Sequence, residues 1–545
     1  MQQSPSPPTT LAQKLNDLRQ QHGSEFFSGQ VPAWVHRCLR AGLRLRPFQQ
    51  EAAGRFIFDF NQWQRQPSAP LQRLFHMATG SGKTVVMAAL LPFLFRQGYR
   101  NVLFFVNSTN ILHKTRANFL DPASSKFLFA RETDDGQQRF RLVEGPLFAQ
   151  APGEMRIFFT TIQGLHAQLN RPVENSLVYS DFNQGKTLLI SDEAHHLNTL
   201  TRQKHRLRKS ERTEAESWEQ TVARVLKAHP ANLLLEFTAT AGLHHPAVAK
   251  KYHDKLLFNY PLAQFCSEGY SKAVSVCQSA ATPVARALQA ILLSEYRRKL
   301  FAASGLQVKP VVLFKSRTIA LNREFYKELG EQIDALAVHM LQPLWQQMHQ
   351  RFGLDTRLFP GATAFLEQLC LEIQSGFSAE NRVCTDSSQL SEQQQTLLNS
   401  LEDSHNPVRA IFAVDKLNEG WDVLNLFDIV RLYETRTARK TGQQPATVAE
   451  AQLIGRGARY FPFGLAGGLP RYQRQFDADA LHPMRMCEQL VYHTTADPLY
   501  LKELEQELQA SGLPLSRQLQ VTFSEDFKAG WCYRYAQVPV NGLLQ

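Results

Sequence analysis

The order of apolar runs and helix-length segments predicts an α/β chain built as two domains in tandem, each with a parallel sheet. Three observations carry this. Short β-rich runs alternate with longer helix-like stretches. A glycine-rich turn stands between one such run and a helix. The alternation breaks near residues 262–272 and then resumes. At roughly 100–200 residues per domain, a chain of 545 residues is too long for a single domain.

Residues 1 to about 10, MQQSPSPPTT, are Pro/Ser/Thr-rich and read as disordered; helical patterning begins near Leu11. Residues 1–40 therefore form a tail and helix. In the first domain, 41–265, strands are expected at Leu74–Met77, Val102–Val106, Ile157–Thr160, Leu188–Ser191 and Leu233–Phe237, with a helix over Thr84–Arg96. In the second, 266–475, they are expected at Ala273–Val276, Val311–Phe314, Val383–Thr385, Ala410–Val414 and Ile429–Tyr433, with a helix around Pro283–Phe301. A helix-rich stretch of about 320–375 reads as an insertion in that domain. From 476 to 545 the pattern weakens to a helix around Leu499–Ala510 and a tail without period.

The chain is 43% hydrophobic and 20% charged, as a soluble globular protein is, and carries a net charge of +11. The excess favours a polyanionic partner, because each Lys or Arg set on a phosphate releases counterions. Seven cysteines are scattered without a C-x-x-C pair, which suits the reducing cytoplasm rather than a disulfide framework or zinc site. No apolar stretch reaches 18 residues, and the N-terminus lacks the basic-then-apolar pattern of a signal peptide.

Met77-Ala78-Thr79-Gly80-Ser81-Gly82-Lys83-Thr84 lies between a strand and a helix. Glycines let backbone N–H groups converge on phosphate oxygens, and the helix N-terminus adds its dipole. Thr79, Gly80, Ser81 and Gly82 would form the cradle. Lys83 would hold the β- and γ-phosphates of ATP, and the Thr84 hydroxyl would bind Mg²⁺. The strict pattern has Gly where this chain has Met77. Downstream, Leu188-Leu189-Ile190-Ser191 ends in Asp192-Glu193-Ala194-His195. A buried strand delivers acids to its C-terminal edge, where open α/β sheets bind ligands. Asp192 would hold Mg²⁺ through water, and Glu193 would orient the attacking water. His195 would couple the site to the second domain.

Four boxes in order are similar to those of DEAH-type superfamily 2 helicases: the phosphate loop, Asp192–His195, Phe237-Thr238-Ala239-Thr240 and Gln452-Leu453-Ile454-Gly455-Arg456-Gly457-Ala458-Arg459. The resemblance covers about residues 40–470 and implies two tandem RecA-like domains. Arg456 and Arg459, three apart, would share a helix face and reach the γ-phosphate across a cleft, with Gln452 one turn earlier. Thr238 and Thr240 take the place of hinge-coupling hydroxyls. Asn418-Glu419-Gly420-Trp421-Asp422 resembles the box linking nucleotide state to strand binding, with Gly420 freeing the backbone and Asp422 near the ribose. Leu45-Arg46-Pro47-Phe48-Gln49 resembles the box that reads adenine, with Gln49 as donor and acceptor; Phe48 either packs on the base or belongs to the core. Asn107 and Thr109, Thr161, and Lys315 with Ser316 occupy family positions for nucleic-acid backbone contacts.

More narrowly, Phe75–Thr84, Leu103–Asn110, Asn418–Asp422 and Ile454–Tyr460 resemble the Res subunit of type III restriction–modification systems. That resemblance implies a motor on duplex DNA, a modification methyltransferase as partner and a nuclease domain after the motor. Asp526-Phe527-Lys528 mimics part of a nuclease signature, but the upstream acid and the room for a fold are missing. The expectation is thus the motor part alone, either truncated or without a nuclease. An ATP-gated DNA-binding subunit with little turnover and an RNA helicase stand as alternatives. No membrane association is expected.

Overall fold

Runs of Leu, Val, Ile and Phe bounded by turn residues bury both faces of a strand, which is what parallel strands covered by helices require. In the computed structural model such runs build two parallel sheets. Residues 9–515 are described, apart from 68, 125, 131–138, 149–150, 172–175, 195–208, 244, 386–391, 415–422, 434–444, 466–467, 469, 480, 511 and 514. The chain divides into two units, Met1–Leu262 and Ala263–Gln545.

The first unit holds β1 (Leu71–Met77), β2 (Asn101–Val106), β3 (Arg141–Glu144), β4 (Glu154–Thr161), β5 (Thr187–Asp192), β6 (Leu233–Thr238) and β7 (Leu256–Tyr260). Their order in the sheet is β3-β4-β2-β5-β6-β1-β7, and every pairing is parallel. All strands therefore end on one edge. β6 lies between β1, which leads into the glycine loop, and β5, which ends in the acids. The helix Leu11–His22 opens on a capping box, Thr10 with Gln13.

The second unit holds β8 (Ala273–Gln278), β9 (Val311–Lys315), β10 (Arg382–Thr385), β11 (Ala410–Ala413), β12 (Leu426–Arg431) and β13 (Gln489–Thr494). Their order is β10-β11-β9-β12-β13-β8, again parallel throughout. β13 lies in the stretch where the sequence pattern weakens, yet it is an interior strand. The expected insertion consists of three helices, Ile319–Asp334, Val338–Phe352 and Thr363–Gly376. Leu329, Ile333, Leu341, Met348, Leu366, Leu369 and Ile373 join them to the core around the helix Pro283–Ala303. The insertion is thus built into the unit's own core.

That core also contains charge. Arg297 Nη1 donates to Asp428 Oδ2, and His493 Nε2 lies 3.0 Å from Asp428 Oδ1. All three side chains are buried. Burial alone would lower the His493 pKa; its bond to Asp428 and the influence of Cys277 outweigh that and push it up to about 9.

Candidate nucleotide site

The glycine loop begins where β1 ends. Met77 is fully buried as the last residue of that strand, so a core side chain replaces the Gly of the strict pattern. Ala78 N–H donates to Tyr260 O at 2.9 Å, which anchors the loop's first residue to β7. Gly80 and Gly82 have φ of 80° and 79°, the left-handed region that glycine enters without strain. Lys83 then opens the helix Lys83–Arg96 with Gly82 as its N-cap. The Ser81 hydroxyl donates to Ala78 O at 2.7 Å and tightens the turn.

Gln49 sits under this loop. Its Nε2 donates to Ser81 O at 2.7 Å, and its Oε1 accepts from Arg46 N at 2.9 Å. One N–H and one lone pair of the amide remain for a base edge. A Cβ on Gly82 would stand 2.4 Å from Gln49 Nε2. The choice left open for Phe48 resolves in favour of the core: its ring stacks on Tyr260, with centroids 4.4 Å apart.

β5 brings Asp192 and Glu193 to the same edge as the loop. Glu193 Oε1 lies 3.6 Å from Lys83 Nζ. Glu193 has φ of 52°, a conformation costly for a side chain with a Cβ and one that clusters at functional sites. Its N–H donates to Asp192 Oδ1 at 3.0 Å. Between these strands, the Thr238 hydroxyl accepts from Thr240 N at 3.1 Å. His76, which sequence reasoning missed, reaches Ala239 O at 3.1 Å and Asn259 Oδ1 at 2.6 Å. It ties the Thr238–Thr240 turn to the base of the loop.

Farther along that edge, β2 and β4 pair, with Val106 opposite Thr161. Gln163 donates to Asn107 Oδ1, and the Thr161 hydroxyl caps the helix Ile162–Asn170 through Gly164 N at 3.0 Å. Thr109 is exposed at the start of the helix Thr109–Leu120, which follows β2. Asn107, Thr109 and Thr161 thus share one end of one sheet.

In the second unit, Gln452 is exposed and Arg456 half-buried on the helix Pro445–Gly457. The expected shared helix face for Arg456 and Arg459 is not met. The helix stops at Gly457, and Arg459 pairs instead with Ser271 in an antiparallel bridge. Gly457 packs closely there: an added Cβ would meet the side-chain methyls of Leu426, Leu490 and Ile429 at 3.1–3.3 Å. Lys315 and Ser316, at the end of β9, are both buried.

A family model described as "Type III restriction enzyme, res subunit" matches residues 42–242, and another described as "N-terminal region" matches 446–517. The chain is 34% identical over 466 residues to a probable type III restriction-modification enzyme HindVIP Res subunit of Haemophilus influenzae, covering 77% of this chain and 89% of that one. The chain belongs to the type III Res subunit family. An uncharacterized protein of the same organism is 47% identical over 68 residues, 12% of this chain and 15% of that one. Among solved structures, the Res-family chain is similar to a putative HsdR fragment of a type I restriction enzyme from Vibrio vulnificus YJ016 (13% identity, 90% and 72% covered, TM-score 0.39). It is also similar to S. cerevisiae Dbp5 bound to RNA and ADP BeF3 (11% identity, 85% and 92% covered, TM-score 0.39).

Of the residues expected to serve the Res-family site, His195, Gly420 and Asp422 lie outside the described residues, as do Asp526 and Lys528. Lys83, Thr84, Asp192, Glu193, Thr238 and Gln49 are gathered at one end of the first sheet by β1, β5, β6 and the helix that begins at Pro47. Hydroxyl and carboxylate oxygens are the donors Mg²⁺ takes, with most of its remaining ligands being water and phosphate. Thr84 and Asp192 fit that set. Among the described residues no cluster of three His, Cys, Asp or Glu could hold a metal by itself, and no helix is long and apolar enough to cross a membrane.

Proposed function

We propose that this chain is an ATP-driven DNA translocase or helicase, the motor of a type III-like restriction system. One observation carries the reading: the Lys83 ammonium and the Glu193 carboxylate meet at 3.6 Å where the glycine loop and the acidic strand end together. An ammonium aimed into a glycine cradle binds phosphate, and a carboxylate beside it can orient water for in-line attack. Lys83 would leave Glu193 for the β- and γ-phosphates of ATP, freeing the carboxylate for that water. Thr84 and Asp192 would hold Mg²⁺, which when bound neutralises charge on the phosphate oxygens. Gln49 would read adenine with the amide valences it has left. Gly420, Asp422 and Gln452 would contribute to nucleotide binding. Arg456 and Arg459 would bring positive charge to the γ-phosphate, a contribution of about 10³–10⁵ in kcat where GTPases use an arginine finger.

Asn107, Thr109 and Thr161 would position the nucleic-acid backbone, joined by Lys315 and Ser316. The short polar side chains of Asn107, Thr109 and Thr161 suit phosphate contact more than base reading; Lys315 and Ser316 are buried at the end of β9 and would have to be uncovered to take part. The net charge of +11 fits a polyanion. The Haemophilus relative's name places it in a restriction-modification enzyme, so a modification methyltransferase is the proposed partner and the cytoplasm the proposed location. His195, Thr238 and Thr240 would couple hydrolysis to movement.

ATP turnover is measured with no nucleic acid, duplex DNA, single-stranded DNA and RNA, for the parent protein, Lys83→Ala and Glu193→Gln. Duplex DNA should stimulate the parent most. Glu193→Gln should fall by roughly 10²–10⁴-fold, the range of a lost general base, and Lys83→Ala by about 10²–10³-fold, as a lost electrostatic contact to the phosphates. Equal rates in all three proteins would sink the reading.

A further inference from the structure

Lys272 leads into β8, and its side chain is almost wholly buried. Its Nζ donates to three backbone carbonyls: Leu424 at 2.6 Å, Leu426 at 2.8 Å and Gly457 at 3.0 Å. Its backbone N–H donates to Ala458 O at 2.6 Å, and Ser271 beside it bridges Arg459. An ammonium carries three protons and no acceptor. Three carbonyls from two distant segments use all of them.

A buried cation is costly unless it is paired and hydrogen-bonded. Burial pushes the Lys272 pKa well below its usual range, Arg297 adds to that, and Glu402 and Asp428 oppose it. Among the described residues no carboxylate forms an ion pair with Lys272; the Phe427 ring stands 4.6 Å away. The acceptors explain the placement. Leu424 follows Asp422 by two residues, and its N–H is held from the other side by Glu402 Oε1 at 3.0 Å. Gly457 is the last residue of the helix carrying Arg456, two before Arg459.

We infer that Lys272 is a positioning residue: its ammonium ties the turn after the Asn418–Asp422 box to the end of the arginine helix and so fixes Arg456 and Arg459. The tether stands on geometry; its consequence for turnover rests on the ATPase reading above. Arginines that act on charge developing at a phosphate must be held closely, and a displacement of about 1 Å can cost about 10²-fold in rate.

Lys272→Met keeps an apolar stem of similar length and removes the donors. With linear duplex DNA, kcat should fall about 10²-fold while KM for ATP changes by less than about 2-fold. Hydrogen exchange should speed up in peptides covering 423–427 and 454–460 and stay unchanged at 102–106 and 188–192. On an Arg459→Ala background, Lys272→Met should lower kcat little further, since it acts through the arginines. An equal loss on that background would overturn the positioning role, and unchanged exchange in both segments would overturn the tether. A parent protein without turnover would fail the ATPase reading and remove the catalytic consequence, while the exchange result would still decide the tether. Should Lys272→Met not fold, Lys272→Gln keeps two N–H donors without charge. A smaller loss confined to the same segments would support the inference; parental kcat and exchange would overturn it.

Discussion

Strands β5 and β12 are each six residues long, buried throughout, and each carries an aspartate. In β5 the acid is the last residue, so Asp192 ends at the sheet edge with Glu193 and Lys83. In β12 the acid is the third residue, so Asp428 lies inside the sheet, neutralised by Arg297 and approached by His493. The same residue type in the same kind of strand takes opposite roles because of its distance from the strand end. A carboxylate at the edge is available to a ligand. One inside must find its counter-charge in the chain, since an unpaired buried charge costs several kcal/mol. The first unit ends its acids at the sheet edge, and the second locks charge into its core.

Conservative replacements at the two aspartates should separate these roles. Asp192→Asn should lower ATP turnover by roughly 10²-fold or more, as loss of a group acting in the transition state does, and leave the urea midpoint nearly unchanged. Asp428→Asn should leave Arg297 buried without its partner and destabilise the second unit by about 3–5 kcal/mol, read from the urea transition of that unit. If Asp428→Asn abolished turnover at parental stability, the contrast between edge and core would fail.

The legible part of the molecule is the part with local causes. The runs at Val102–Val106 and Leu188–Ser191 are almost purely apolar, and their strands fall within a residue of expectation. The glycine loop announces itself through residue types that only its turn requires. β12 starts three residues before the expected run because Asp428 interrupts its apolar pattern. β13 escapes notice because Gln489, His493 and Thr494 are polar yet buried, leaving Leu490-Val491-Tyr492 as its only apolar signal. The arginine pair was expected on one helix from its spacing of three. What holds the helix end is Lys272, far away in sequence, and no local pattern carries that. Gln49 was legible as a two-faced amide, but not its use of Ser81 O beneath the loop.

The core charge of the second unit should also respond to pH. The His493 pKa is raised from 6.5 to about 9. A raised pKa stabilises the fold fully below the unfolded value and ceases to do so as pH rises through the folded one. At about 1.4 kcal/mol per pH unit the contribution is roughly 3 kcal/mol. Cys277, Asp428, Arg297 and Lys272 also bear on this core, so the quantity to follow is the stability difference between the parent and His493→Gln. That difference should be largest below pH 6.5 and shrink toward pH 9. A difference that stays constant across this window would mean that His493 does not carry the charge, and Arg297 alone would balance Asp428.

A smaller stability effect than those at Asp428 and His493 lies at the loop, which should tolerate damage that its chemistry cannot. Gly82→Ala places a Cβ at φ of 79° and 2.4 Å from Gln49 Nε2. The backbone strain costs about 1–2 kcal/mol, and the Gln49 side chain must shift away from Ser81 O. Truncating that side chain in Gly82→Ala/Gln49→Ala removes the obstacle but not the strain. The double variant should therefore be more stable than the sum of the two single changes allows, with a coupling of about 0.5–1 kcal/mol. Neither should bind nucleotide like the parent, because the turn that aims the loop's N–H groups depends on Gly82. Additive stabilities would mean that Gln49 moves aside freely, and that its bond to the loop is incidental to holding the cradle's shape.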